Sequence, residues 1–158
     1  MTLPPLAFDV YEANPPAAYA GNPIWRTRMF RMASYLSTRC ATDAAALGAR
    51  VSLATAQQFV RATTSISANI AEGYSRGDTA DRRRFYTYAL GSTREAIAWI
   101  DALGDTAWPP RQTYLDLLVQ IRRQLLTALK SLRAASAEKR NAVRRATPIV
   151  YRNPKSES

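Results

Sequence analysis

The sequence predicts an all-α protein, an up-down antiparallel four-helix bundle, and three observations predict it. Apolar residues recur at three- and four-residue spacing through most of the chain, the period of a helix with one buried face. No segment alternates apolar and polar residues over a useful length, so no strand is expected. The helical stretches are long and their connections short, which favours antiparallel neighbours. With 158 residues, 47% of them hydrophobic, the chain is long enough for one domain with its own core.

The chain divides into an arm over 1–22, the bundle over 23–136 and a tail over 137–158. Five of the nine prolines fall within the first 23 residues, a segment with Asp9 and Glu12 but no basic residue. It reads as an extended acidic arm. Its Leu6, Phe8, Val10 and Tyr11 either strap onto a surface or belong to a partly disordered terminus.

The first helix is expected over about 24–47, with Asn22 as N-cap and Pro23 at the first helical position. Trp25, Met29, Met32, Leu36 and Cys40 fall on one face, so Cys40 reads as a small buried hydrophobe. The second spans 52–75. The third spans 79–104, with Thr79 as N-cap and Asp81 in the first turn, where the helix dipole favours a carboxylate. "WPPRQ" breaks the chain before a fourth helix over 110–136, which extends towards Arg145 until Pro148 stops it. The expected core contains Phe59, Ile66, Ile70, Phe85, Trp99, Ile121 and Leu125.

Composition narrows the chemistry. There is no histidine, which removes the usual neutral-pH base and the commonest metal ligand. One cysteine builds neither a zinc site nor an intramolecular disulfide, and "GNP", "EGYSRGD" and "ALGST" lack the Gly-Lys-Ser/Thr core of a phosphate loop. The expectation is therefore no catalytic residue, no metal, no cofactor and no enzyme. Without a basic-then-apolar leader or a run of roughly 20 apolar residues, neither signal peptide nor membrane span is expected. A reducing cytoplasm fits the cysteine usage.

Two helices differ in their wheels. In the second, Phe59, Thr63, Ile66, Ile70 and Tyr74 centre one side, while Arg61, Ser65, Asn69, Glu72 and Arg76 gather within about 80° on the other. From the residues alone this is a solvated face, with Glu72 and Arg76 as a favourable i,i+4 pair. In the third, Phe85, Tyr86, Tyr88, Ala89, Leu90, Ala96, Ile97, Trp99, Ile100 and Leu103 spread over about 200°, wider than one core requires. Such an excess is expected to be hidden against another subunit, or else beneath the N-terminal arm.

"QFVRATTSISANIAEG" followed by "RRFYTYALGSTREAI" resembles the four-helix-bundle family of 23S rRNA intervening-sequence proteins. The accessory variability determinant of diversity-generating retroelements is a related family with the same fold. The matching positions are Gln58, Arg61, Ala62, Ser65, Ile66, Asn69, Ile70, Ala71, Glu72 and Gly73, then Arg84, Phe85, Ala89, Gly91, Ser92 and Glu95. The likeness covers about residues 24–132, although Ile97 and Ala98 replace polar residues and the Phe-Pro turn between the first two helices is absent. It implies a ring-shaped homopentamer, and with it a polar inter-helix or interface network of Arg61, Asn69, Glu72 and Glu95. It implies an architecture more readily than a function.

The charge suggests partners. Twenty-two basic against twelve acidic residues give +10, and nineteen of the basic residues are arginine. Basic residues cluster in the first helix (Arg26, Arg28, Arg31, Arg39) and at Arg82, Arg83 and Arg84. They recur at Arg122 and Arg123 and in the tail at Arg140, Arg144 and Arg145. The last three groups are the candidate phosphate-binding residues. The expected partners are a second copy of the chain and RNA or DNA. The alternative is a structural scaffold with a protein client and no nucleic acid.

Overall fold

Side chains that accept hydrogen bonds from free backbone N–H groups set the start of two of the long helices. The Ser52 hydroxyl accepts from Thr55 N at 3.2 Å and opens α3, Leu53–Ser75. Asp78, not Thr79, caps α4, Thr79–Ala102: its carboxylate accepts from Ala80 N at 2.9 Å and from Asp81 N at 3.0 Å. The charged acceptor also meets the positive end of the helix dipole, an advantage that a threonine hydroxyl lacks. Asn22 caps as expected, accepting from Ile24 N at 3.1 Å, but what it opens is a 3₁₀ turn, Pro23–Arg26. Thr27 is extended, so α2 begins only at Arg28 and runs to Gly48.

The computed structural model describes residues 7–49, 51–104 and 108–146, and within them the protein is all-α with no strand. Besides those helices there are α1, Phe8–Ala13, a 3₁₀ turn at Ala17–Tyr19, and α5, Arg111–Ala146. Phe8–Ala13 is helical rather than extended. α5 continues through the start of the basic tail to Ala146, in line with the expected extension towards Arg145, and no proline or glycine interrupts it. The remainder of the tail, and Leu6 of the arm, lie outside the described residues. No helix of the described residues is long and apolar enough to cross a membrane.

α3 packs on α2 and α4, and α5 on α4 and α2, around one core. The pairs are antiparallel. Ser37 of α2 meets Ser67 of α3 at 2.7 Å, Ser92 of α4 donates to Ser65 of α3 at 3.1 Å, and Tyr114 near the start of α5 donates to Asp43 near the end of α2. Phe59, Ile66, Ile70, Ile121 and Leu125 are buried as the periodicity predicts. Phe85 and Trp99 are only partly buried, because α4 turns Tyr86, Ala89, Thr93, Ala96 and Ile100 inward instead. Trp108, which the sequence marks only as part of a break, is buried against Phe59 and Tyr114 with ring centroids 5.6 and 5.1 Å away.

Within the core, Cys40 donates to the Ser37 carbonyl at 3.1 Å, and burial, with Asp43 nearby, pushes its thiol up to about 11. Asp43 is a buried carboxylate that accepts from Arg39 Nε and Tyr114 Oη, both at 3.0 Å. A carboxylate in that position is tolerable because both partners satisfy it.

The arm packs on α2. Tyr11 is buried with its hydroxyl 2.8 Å from Ser34 Oγ, and Phe8 stands edge-on to Tyr35 at 5.4 Å. Of the two readings left open for the arm, strap or loose terminus, its described part is a strap. It lies on α2, so it leaves the broad apolar arc of α4 bare.

Candidate functional site

Antiparallel packing converts scattered basic residues into a charged end. The start of α2, the end of α3, the start of α4 and the second half of α5 all lie there. Thr27 and Met29 share a groove with Arg123, Gln124, Thr127 and Ala128. Gly73 of α3 abuts Tyr86 of α4, and the first turns of α4 face the last turns of α5.

The last contact forms a cleft of about 510 Å³, lined by Asp78, Thr79, Ala80 and Arg83 from α4 and by residues between Ala135 and Arg144 of α5. Its basic members are Arg83, Lys139, Arg140 and Arg144. None of the four makes an ion pair among the described residues. One carboxylate borders the cleft, Asp78, and its Oδ2 is already engaged by the helix start. The N–H of Asp81, then that of Ala80 and the charge of Lys139, hold that carboxyl below the usual carboxylate range, so it stays charged. The result is a concave surface with four basic residues and one carboxylate, which is held by the helix start and lies within reach of the Lys139 charge.

The expected phosphate-binding residues therefore separate into groups. Arg83, Arg140 and Arg144 come together, joined by Lys139, which had not been singled out. The signal for Lys139 was its place on the 136–140–143 face of a helix that continues past residue 136. Arg82 and Arg84 turn elsewhere: Arg82 donates to the Arg76 carbonyl at 2.7 Å, and Arg84 pairs with Asp81 at 3.2 Å while lying over the Phe85 ring. Arg123 belongs to the groove beside Met29, Arg122 is half-buried, and Arg145 is exposed at the end of α5.

Within one chain the polar stripe on α3 does not close into a network. Asn69 donates to the Ser65 carbonyl at 2.8 Å and to Ser65 Oγ at 3.0 Å, Glu72 pairs with Arg76, and Trp99 Nε1 reaches Glu95 at 3.5 Å. The four expected members thus do not bond one another within the chain. The link between the two helices is Ser65–Ser92. Arg61 and Glu95 do line a common cleft of about 350 Å³ with Ser65 and Ser92. Next to it Tyr88 is 52% exposed, and Phe85 and Trp99 are half-buried.

Neither the curated proteins nor the solved structures match the chain. The family model described as 23S rRNA-intervening sequence protein matches residues 29–132, from the first turn of α2 well into α5 and leaving the strap outside. The chain belongs to the 23S rRNA-intervening sequence protein family.

Proposed function

We propose that the protein is a non-enzymatic, self-assembling four-helix bundle that serves as a basic accessory module and holds nucleic acid by its phosphates. The observation that carries this reading is the convergence of Arg83, Lys139, Arg140 and Arg144 in one cleft, from helices more than fifty residues apart in sequence. Guanidinium forks match phosphate oxygens two at a time, and lysine adds a mobile point charge. No aromatic side chain among the described residues lines the cleft, so these residues offer bases no stacking platform. Contact is expected with the backbone and with little sequence preference.

Self-assembly is supported by the face that α3 and α4 share. Tyr88, Phe85 and Trp99 flank a polar cleft whose Arg61 side chain makes no ion pair or hydrogen bond among the described residues, a surface suited to a second copy. Family resemblance gives the number five and the ring. A ring repeats the basic cleft about its axis, which strengthens a contact that is weak singly. The same face also suits a protein client, which is the rival scaffold reading.

The test is a titration of a labelled 20-base-pair duplex, RNA and DNA in parallel, between roughly 50 and 200 mM salt. Binding that weakens steeply with salt and differs little between sequences supports the reading. No binding at the lowest salt leaves the scaffold as the better account.

A further inference from the structure

Glu12 in the strap bridges two arginines of α2. Glu12 of α1 places Oε1 2.8 Å from Arg31 Nε and 3.3 Å from Arg28 Nε, so one carboxylate oxygen is shared by two guanidinium groups. Arg28 also lies 6.0 Å from the centre of the Phe8 ring, gripped by the strap on a second side. Both arginines stand in the first turn of α2. Two guanidinium groups converging on a single carboxylate oxygen is an arrangement that also suits a phosphate oxygen.

We infer that Arg28 and Arg31 form a latent phosphate-binding site in which the Glu12 carboxylate stands in for the ligand. A nucleic-acid phosphate enters by exchanging with that carboxylate. The exchange needs only the Glu12 side chain to swing out. The strap itself stays seated through buried Tyr11 and through Trp25 Nε1, which donates to the Glu12 carbonyl at 3.4 Å. The Glu12 side chain retains a quarter of its exposure, and Arg28 half, so ligand can reach the pair from solvent. The strap would then set how much basic surface the free protein offers. This inference rests on the nucleic-acid reading above.

A double-mutant cycle on the full chain tests it, read by anisotropy of a labelled 20-base-pair DNA duplex across a salt series. Glu12→Gln should tighten binding about five- to tenfold, with a salt slope steeper by roughly one to two phosphates. Arg28→Gln should change little while Glu12 occupies the site, yet remove most of the gain in the Glu12→Gln background. Asp9→Asn removes the same charge from the same helix without touching Arg28 or Arg31, and should move affinity less than twofold. An unchanged melting temperature across the set shows that the strap is still seated. Equal effects of Glu12→Gln and Asp9→Asn would reduce the result to net charge and overturn the inference, as would independent effects of Glu12 and Arg28. If parent and variants all fail to bind at low salt, the nucleic-acid reading falls and this inference with it. If the parent binds with a steep salt slope and Glu12→Gln matches it, only the latent site is lost.

Discussion

The Tyr114 hydroxyl donates to Asp43 Oδ2 at 3.0 Å, tying the start of α5 to the end of α2 across 71 residues of chain. The same carboxylate binds Arg39 Nε, and Arg39 Nη1 in turn donates to Tyr35 Oη at 2.9 Å. Tyr114→Phe removes one donor and leaves Asp43 paired, so it should cost about 1–2 kcal/mol. Asp43→Leu strands a largely buried guanidinium and should cost about 3 kcal/mol or more. Urea unfolding checks both, and equal midpoints for parent and Tyr114→Phe would contradict the assignment.

At Gly73 α3 and α4 leave no room for a side chain. A Cβ there would lie 2.6 Å from Tyr86 Cδ1 and 3.1 Å from Phe85 Cβ. Gly73→Ala must push the helices apart or turn a buried ring, at a cost of about 1–3 kcal/mol. The same change at Gly91 meets nothing within 4 Å and should stabilise α4 by up to about 1 kcal/mol. Thermal melts that rank the two variants the other way would refute the packing described.

Alkaline pH should unfold the protein early. The Cys40 thiol ionises at about 11 in the folded chain against 9.0 in the unfolded one. Between those values the unfolded state releases the proton first, so stability present below pH 9 is lost as pH approaches 11, on the order of 1–2 kcal/mol. Burial raises Tyr114 and Tyr86 as well, and both act in the same direction. Stability measured against pH should flatten in Cys40→Ala. An identical fall in parent and variant assigns it to the tyrosines instead. In native protein at pH 8 the thiol should react with a disulfide reagent far more slowly than in urea.

The α3 stripe separates folding from assembly. Glu72→Ala removes an exposed i,i+4 pair and Asn69→Ala removes bonds within one helix, so neither should change the stability of a single chain by much more than about 0.5 kcal/mol. If the α3–α4 face is where copies meet, both variants should shift native mass spectra from the assembly towards the 17.5 kDa monomer at micromolar concentration. A parent that is already monomeric would remove the self-assembly proposal.

Much of the fold was legible because long amphipathic helices announce themselves. The α3 core residues Phe59, Ile66 and Ile70 follow from period alone. On α4 the apolar arc is too wide for a wheel to find its centre, so Phe85 and Trp99 were expected inside while Tyr86 and Ala89 carry the packing. α1, with 6 residues, is too short to show a period, and its seat depends on Ser34 and Tyr35 of another helix. Asp43 carries no signal in the sequence, because Tyr114 reaches it only once α5 packs on α2. The cleft was the least legible feature, since Arg83 and Arg144 become neighbours only when α4 and α5 run antiparallel.

The central claim is that the cleft between α4 and α5 holds phosphates. The slope of log affinity against log salt for a DNA duplex, compared between the parent and the chain carrying Arg83→Gln, Lys139→Gln, Arg140→Gln and Arg144→Gln, tests it most directly. Each lost phosphate contact should lower that slope by about 0.9, so the fourfold variant should fall by roughly three to four, with Arg94→Gln on an exposed part of α4 as the control for bulk charge. A slope unchanged in the fourfold variant, or a loss per charge no greater than that of Arg94→Gln, would contradict it.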